Sequence, residues 1–180
     1  MKNATSEPPG RVIRRQASVI PLSKRHPKPL LPQVHSALKS YRCVENMVHE
    51  LRPTQPVTCL RPSTVASTAR WFLKNFPGDV MFAVKTNPDR RVLGYLYRAG
   101  VRHFDVASLA EIRLVAENVP ESTMYFMHPV KSREAIHAAY FTHGIRDFSL
   151  DSHEELAKIL EVTNHAQDLN LYVRLSMASD

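Results

Sequence analysis

Five short apolar runs recur at a nearly constant interval, and this spacing constrains the fold more than any other feature of the sequence. The interval is about 21 to 26 residues, and the runs occupy residues 80–85, 101–106, 123–127, 145–150 and 171–175. Helix-like segments lie between them. Strands that alternate with helices in this way favour parallel pairing, because each helix returns the chain to the same edge of the sheet. The sequence therefore predicts an α/β fold with about five parallel strands and intervening helices.

Two of the intervening helices are marked by signals for their first residues. Ser108 precedes Glu111 by three positions, and Ser152 precedes Glu155 by the same interval. This spacing predicts a capping box, in which the serine oxygen accepts a backbone N–H and the glutamate reaches back to the cap. Each of these helices is therefore expected to begin directly after a strand-to-helix turn.

The region before the first run is predicted to contain two helices and one strand. Apolar residues at helical spacing predict a short helix within residues 36–51, and residues 57–60 read as a strand. A second helix is predicted over residues 63–75. Its buried face is expected to carry Val65, Ala69, Trp71 and Phe72.

The first 34 residues form a basic, proline-rich leader that is expected to be flexible. The net charge of +7 arises near this end, because residues 1–44 carry nine Lys or Arg and one acid while the remainder is nearly neutral. No aromatic residue is interleaved with these charges before Tyr41, so nucleic-acid binding is not favoured. Prolines interrupt any amphipathic targeting helix, which makes a transit peptide the less favoured interpretation. Residues 35–180 are assigned to the folded part.

Composition also argues against several other classes of protein. No run approaches the roughly 18 apolar residues of a membrane-spanning helix, and no apolar signal-peptide core follows the first charges. Cys43 and Cys59 lack the spacing of a metal site or a disulfide framework, which indicates free thiols in a reducing compartment. We therefore expect a cytoplasmic protein with neither a metal, a nucleic acid nor a membrane as partner.

The strongest candidate for chemistry is Lys85, which ends the first apolar run. In a parallel sheet every strand ends at the same rim. The residues expected there with Lys85 are Asp105, His128, Asp151 and Arg174. An amine, carboxylates and a guanidinium together suit a small anionic ligand, and such an amine can attack a carbonyl to form a Schiff base. Structural interpretations remain open: a solvated lysine, aspartates that favour helix N-termini, and a histidine in a turn.

Three motifs occur in order within residues 56–176. They are FAVKTNP at residues 82–88, FDVASLAEI at residues 104–112 and DFSLDS at residues 147–152. Together they resemble the pyridoxal-phosphate-dependent decarboxylases of the alanine-racemase-like barrel fold, and most closely the ornithine decarboxylases. The resemblance implies a partial (β/α)8 barrel of the TIM type, since the 180 residues fall short of the roughly 250 that a complete barrel needs.

The same resemblance implies a cofactor and its site. Lys85 would hold pyridoxal 5'-phosphate through a Schiff base. Asp105 and Arg174 would belong to the hydrogen-bonded surroundings of the cofactor. Ala83, two residues before Lys85 and on the same side of the strand, would face the ring. The implied reaction converts L-ornithine to putrescine, with a small amino acid as the binding partner and a homodimer expected for the full-length enzyme.

The resemblance reaches only the N-terminal part of such enzymes. They continue with further strands and a C-terminal β-domain, so the chain is expected to be truncated or partial and inactive alone. The family more often has asparagine where His128 stands, so no role of His128 is implied. Lysine, arginine and diaminopimelate decarboxylases and alanine racemase remain open, although FDVAS favours ornithine. A non-catalytic interaction or regulatory protein built on the same half-barrel also remains open.

Overall fold

The computed structural model describes residues 39–177. The helices are α1 (Val44–Leu51), α2 (Pro62–Asn75), α3 (Arg90–Ala99), α4 (Leu109–Asn118), α5 (Arg133–His137) and α6 (His153–Val162). The strands are β1 (Met81–Ala83), β2 (His103–Val106), β3 (Thr123–Phe126), β4 (Asp147–Leu150) and β5 (Asn170–Val173). The leader, residues 1–34, lies outside the described residues, as does the start of the helix expected within residues 36–51.

The five strands form one parallel sheet in the order β1-β2-β3-β4-β5. Each strand after β1 is reached through a helix, so the alternation read from the sequence is the alternation of the fold. One row of register partners crosses the sheet through Ala83, Asp105, Tyr125, Asp147 and Asn170. The predicted α/β architecture of about five parallel strands is confirmed, and it is that of part of a parallel barrel.

The two faces of the sheet differ in chemistry. The helix-facing face carries apolar side chains that are buried with residues of α3 to α6 in one core: Phe104, Val106, Phe126, Phe148 and Leu150. The opposite face, here called the open face, carries mostly polar side chains: Ala83, His103, Asp105, Tyr125, Asp147, Ser149, Asn170 and Tyr172. Successive side chains of a strand alternate between faces, which places these two sets on opposite sides.

Polar groups on the open face bond to one another across strands. The His103 Nδ1 and the Tyr125 hydroxyl lie 3.0 Å apart. The Asn170 amide and the Tyr172 hydroxyl both donate to Asp147 Oδ1, at 3.1 and 3.0 Å. Since a closed TIM-type barrel is usually filled by branched apolar residues, this face is unusually polar for a barrel interior.

Two predictions about the region before β1 are wrong. Residues 57–60 form no strand, and β1 stands at the end of the sheet, paired only with β2. Trp71 and Phe72 are 60% and 46% exposed rather than buried. Helix α2 packs mainly against α3, with Ala69 buried and Val65 packed against the core, while Trp71 and Phe72 lie on its solvent-exposed side.

Large exposed apolar side chains lie toward both ends of the sheet. On the β1 side they include Trp71, Phe72 and Phe76, and on the β5 side they include Leu171, Val173 and Leu175. An edge strand of a parallel sheet presents unpaired backbone groups together with such side chains. Both ends of the sheet therefore offer surfaces on which further structure could pack.

Candidate functional site

Lys85 lies just beyond β1, at the carboxyl rim of the sheet. The strand ends at Ala83, and Val84–Thr86 form a short 3₁₀ turn that carries the lysine. The Thr86 hydroxyl donates to the Ala83 carbonyl at 2.7 Å, which closes this turn. The strand was predicted to continue through residue 85 and ends two residues earlier. The side chain of Lys85 is exposed, so its amine is accessible at the rim.

Ala83 is half-buried and is the register partner of Asp105 on the neighbouring strand. Their side chains therefore lie next to each other on the open face. The prediction that Ala83 and Lys85 project from the same side of one strand is wrong, because Lys85 lies in the turn. The methyl side chain of Ala83 occupies little space beside Asp105, which leaves room for a flat group on the open face.

The charges of three other predicted rim residues act on the carboxyl group of Asp105. Burial raises the pKa of its carboxyl group, while the nearby Lys85, Arg174 and His128 act in the opposite direction and Glu111 adds to the increase. Lys85 comes from the turn after β1, His128 from the β3 end and Arg174 from the β5 end. The charges of an amine and a guanidinium from separated parts of the chain thus act on one carboxyl group at the rim.

Arg174 directly follows β5 at the same rim. Its backbone N–H donates to the Leu150 carbonyl at 2.8 Å, which continues the β4–β5 pairing by one residue. Its side chain is exposed. The backbone of Arg174 is therefore fixed while its guanidinium can reach a ligand above the sheet.

His128 and Asp151 occupy the rim in different ways. The Nδ1 of His128 lies 2.5 Å from the Val130 carbonyl oxygen and 3.2 Å from the Val130 nitrogen. With a proton on Nδ1 the ring donates to the carbonyl, and without it the ring accepts from the N–H. These contacts fit the interpretation of His128 as a turn residue. Asp151 is exposed, and its charge acts on Lys131.

Lys131 is a functional candidate that the sequence did not predict. Its side chain is fully buried, and Nζ donates to the His128 carbonyl at 2.9 Å and to the Ser149 carbonyl at 2.5 Å. It also forms an ion pair with Glu155 Oε1 at 2.9 Å. A lysine is rarely buried unless paired. The signal that could have found it is a lysine placed directly after the β3 turn, two residues beyond Pro129.

The two predicted capping boxes are confirmed in their serines but not in their glutamates. Ser108 accepts from the Glu111 N–H at 3.3 Å, and Ser152 accepts from the Glu155 N–H at 3.2 Å. The Glu111 carboxylate accepts from the N–H of Ala107, one residue before the cap. The Glu155 carboxylate points to Lys131 and Lys158 instead, because two ammonium groups are stronger partners than one neutral N–H.

The Ser149 hydroxyl is the remaining unusual group near the rim. The residue is 2% exposed, and its Oγ is buried without a hydrogen-bond partner among the described residues. Buried polar atoms in native proteins are nearly always paired, so such an atom calls for an explanation. It lies on the open face as the register partner of Tyr172.

Two further properties concern residues 39–177 as a whole. No cluster of three or more His, Cys, Asp or Glu in this range could hold a metal ion. Across the same residues, every helix is too short or too polar to span a bilayer.

The fold and the rim together define a class: part of a parallel α/β barrel with an accessible amine at the carboxyl ends of its strands. Residues 63–180 match the family model described as pyridoxal-dependent decarboxylase, pyridoxal binding domain. This match covers more than half of the chain. The chain therefore belongs to the pyridoxal-dependent decarboxylase family, and the matched part is the pyridoxal-binding domain of that family.

Solved structures agree with this assignment. The lysine/ornithine decarboxylase of Vibrio vulnificus, complexed with putrescine, is 28% identical with a TM-score of 0.64, covering 76% of this chain and 36% of that chain. The lysine decarboxylase of Selenomonas ruminantium is 26% identical with a TM-score of 0.63, covering 76% and 36%. The arginine decarboxylase of Paramecium bursaria Chlorella virus is 25% identical with a TM-score of 0.63, covering 73% and 35%.

The similarity covers only part of each of these enzymes. The chain spans about a third of the length of the enzymes it matches. A search among the sequences of curated proteins found no match.

Proposed function

We propose that this chain binds pyridoxal phosphate at the rim, with Lys85 as the covalent attachment point. The single observation that carries the proposal is the position of Lys85, Asp105 and Arg174 at the carboxyl ends of β1, β2 and β5, within a domain whose family binds pyridoxal. There the charges of Lys85 and Arg174 act on the Asp105 carboxyl group. These three residues are far apart in the sequence. Their convergence is hard to account for by helix capping or solvation alone.

The residues present fit such a cofactor. Lys85 offers an amine for its aldehyde, and Arg174 offers a cation for an anionic group. Ala83 and Asp105 line the adjacent open face, where the small side chain leaves room for a ring. The buried and unpaired Ser149 hydroxyl supplies a further polar group on that face. Pyridoxal phosphate, when bound, provides an electron sink for the bonds of an amino acid α-carbon.

For the complete enzyme we propose decarboxylation of a basic amino acid. The substrate would lose carbon dioxide and gain a proton at the same carbon, leaving a diamine or a related amine. Ornithine is our first choice on the strength of the FDVAS segment, while the similar structures carry lysine, ornithine and arginine decarboxylases. Because the chain spans about a third of those enzymes, this activity is proposed for a protein that also carries the rest of the barrel.

We extend the proposal to cell location and assembly. Cys43 and Cys59 are both exposed and unpaired, which suits a reducing compartment such as the cytoplasm. A homodimer is proposed for the full-length protein.

A spectroscopic titration tests the proposed attachment. The purified chain is mixed with pyridoxal phosphate, and the visible absorption of the lysine-bound cofactor is followed to obtain a Kd. We expect Lys85→Ala to abolish the saturable signal, since it removes the accessible amine at the rim whose charge acts on Asp105. Lys74→Ala removes an exposed lysine from α2 and should leave the Kd unchanged. A signal that survives Lys85→Ala at full strength would refute the assignment.

A second candidate is a non-catalytic protein that uses the half-barrel as an interaction surface. The observation in its favour is the set of exposed apolar side chains at both ends of the sheet, including Trp71 and Phe76 beside β1 and Leu171 and Val173 on β5. Size-exclusion chromatography of the chain, alone and mixed with an intact decarboxylase of the family, distinguishes the two functions. A defined complex without cofactor capture favours interaction, whereas cofactor capture without a complex favours the enzyme.

A further inference from the structure

The Lys131 ammonium has as many acceptors as it has protons. A charged lysine carries three N–H donors and no acceptor. The three acceptors are the His128 carbonyl, the Ser149 carbonyl and the Glu155 carboxylate, at 2.9, 2.5 and 2.9 Å. Complete pairing of this kind fits a buried lysine that remains charged.

The three contacts join separate structural elements. Strand β3 pairs with β4 only through Tyr125 with Asp147 and Phe126 with Phe148, so the Ser149 carbonyl lies one residue beyond that ladder. Lys131 donates to this carbonyl and also to the turn that follows β3. Lys131 also connects β4 and the turn after β3 to the first turn of α6. It does so through its ion pair with Glu155 and through its backbone N–H, which donates to Glu155 Oε1 at 3.2 Å.

The electrostatic surroundings of the pair are correspondingly strong. Burial lowers the pKa of Lys131, and the charge of Lys158 lowers it further. The negative charges of Glu155 and Asp151 oppose this decrease. Burial alone would raise the pKa of Glu155, but hydrogen bonds from Lys158 and Lys131 lower it below its ordinary value. Buried ion pairs often add little to stability compared with apolar residues of the same volume. A role in placing the backbone accounts better for this pair.

We propose that Lys131 is a positioning residue that fixes the 128–131 turn and the end of β4 at the rim. By this connection it holds the backbone of His128 and of Ser149 in place at the rim. The proposal deepens the cofactor-binding function and rests on it for its biological meaning. The physical connection itself can be measured without any cofactor.

The decisive variant is the double replacement Lys131→Met/Glu155→Met. It removes both charges together and fills the site with apolar side chains, so the fold is expected to survive. The donor to the two carbonyls is lost. We expect amide hydrogen exchange at residues 127–131 to become at least tenfold faster, while exchange in α4 stays as in the parent. The matched control is Lys158→Met, which removes the other partner of Glu155 and leaves the three contacts intact.

A cofactor titration of the same variants gives the functional outcome. We expect the Kd for pyridoxal phosphate to rise about tenfold in the double variant and to stay within twofold in Lys158→Met. Unchanged exchange at residues 127–131 in the double variant would overturn the proposal. So would an equal Kd in the double variant and the parent, where the parent binds the cofactor. If the parent captures no cofactor, the proposed function fails by itself, and the exchange measurement still decides the role of Lys131.

A second variant covers the case in which the double variant does not fold. Glu155→Gln keeps an oxygen acceptor but removes the counter-charge, leaving Asp151 and Lys158 as the nearby charges. The Lys131 ammonium should then lose its proton at a lower pH than in the parent, and with it one of its three contacts. We expect protection of residues 127–131 to be lost at a lower pH in the variant than in the parent. Equal protection in both would contradict the proposal.

Discussion

The two faces of the sheet differ in the side chains they carry and in how much they contribute to stability. The helix-facing face buries Phe104, Phe126 and Phe148 almost completely, whereas the open face presents His103, Asp105 and other polar groups. Apolar burial contributes about 25 cal/mol per Å², so most of the stability should come from the first face. The second face can carry charges because the fold does not depend on filling it. The difference teaches that a partial barrel can be ordered by its helices and still offer a polar rim.

The largest expected effect is on the helix-facing side. Phe126→Ala removes a ring that is 1% exposed and should destabilise the chain by about 3–5 kcal/mol through lost burial and a cavity. Its neighbour Tyr125 lies on the open face, so Tyr125→Ala should cost only about 1–2 kcal/mol. Urea unfolding followed by circular dichroism measures both. Equal losses would show that the open face contributes as much to the fold as the core does.

An intermediate effect is expected from the buried carboxylate of Glu155. Its pKa in the folded chain is lowered from 4.5, despite burial, by hydrogen bonds from Lys158 and Lys131. The unfolded chain therefore binds this proton more readily, and the stability that Glu155 contributes is present above pH 4.5 and lost as the pH falls through the folded pKa.

Urea unfolding at pH 7 and at successively lower pH below 4.5 checks this expectation. The gap between the parent and Glu155→Gln should close as the pH falls. Glu117→Gln, at an exposed position of α4, serves as the control and should follow the parent. A gap that stays constant with pH would mean that the carboxylate is not ionised in the folded chain.

The smallest expected effect on stability has the opposite sign. Burial raises the pKa of Asp105 above 3.8, so ionisation costs folding free energy and stability falls as the pH rises through the window above 3.8. Asp105→Asn should therefore be slightly more stable at pH 7, by less than about 1 kcal/mol after solvent screening, and this gain should disappear as the pH falls below 3.8.

The same Asp105→Asn variant should bind pyridoxal phosphate more weakly. A gain in stability joined to a loss of binding is expected where a site is kept polar for function. Thermal unfolding and the cofactor titration measure the two quantities, with the exposed Asp79→Asn as control. A destabilised variant with unchanged binding would assign Asp105 to the structure instead of the site.

The helix-facing side was largely predictable from the sequence, because local patterns determine it. The spacing of the apolar runs predicted all five strands, and Ser108 and Ser152 were correctly identified as helix caps. Strand ends were less predictable, since the Thr86 hydroxyl ends β1 through a contact that competes with strand pairing. The exposure of Trp71 depends on which elements flank α2, and no local pattern reports that.

The rim was predictable only in outline. Parallel topology predicted a shared rim for Asp105, Lys85 and Arg174, since every strand of such a sheet ends on one side. In the structure the charges of Lys85 and Arg174 act on Asp105. The burial of Lys131 could not be inferred, because two of its three acceptors come from residues 18 and 24 positions further along the chain. The resemblance to decarboxylases supplied the expected cofactor, and the family match agrees with it.

The most direct test of the central claim is to trap the cofactor on the chain. The protein is incubated with pyridoxal phosphate, reduced with borohydride to make the linkage permanent, digested and analysed by mass spectrometry. We expect one added group per chain, on the peptide that contains Lys85, and none in Lys85→Ala. Label spread evenly over several exposed lysines, or undiminished in Lys85→Ala, would contradict the account.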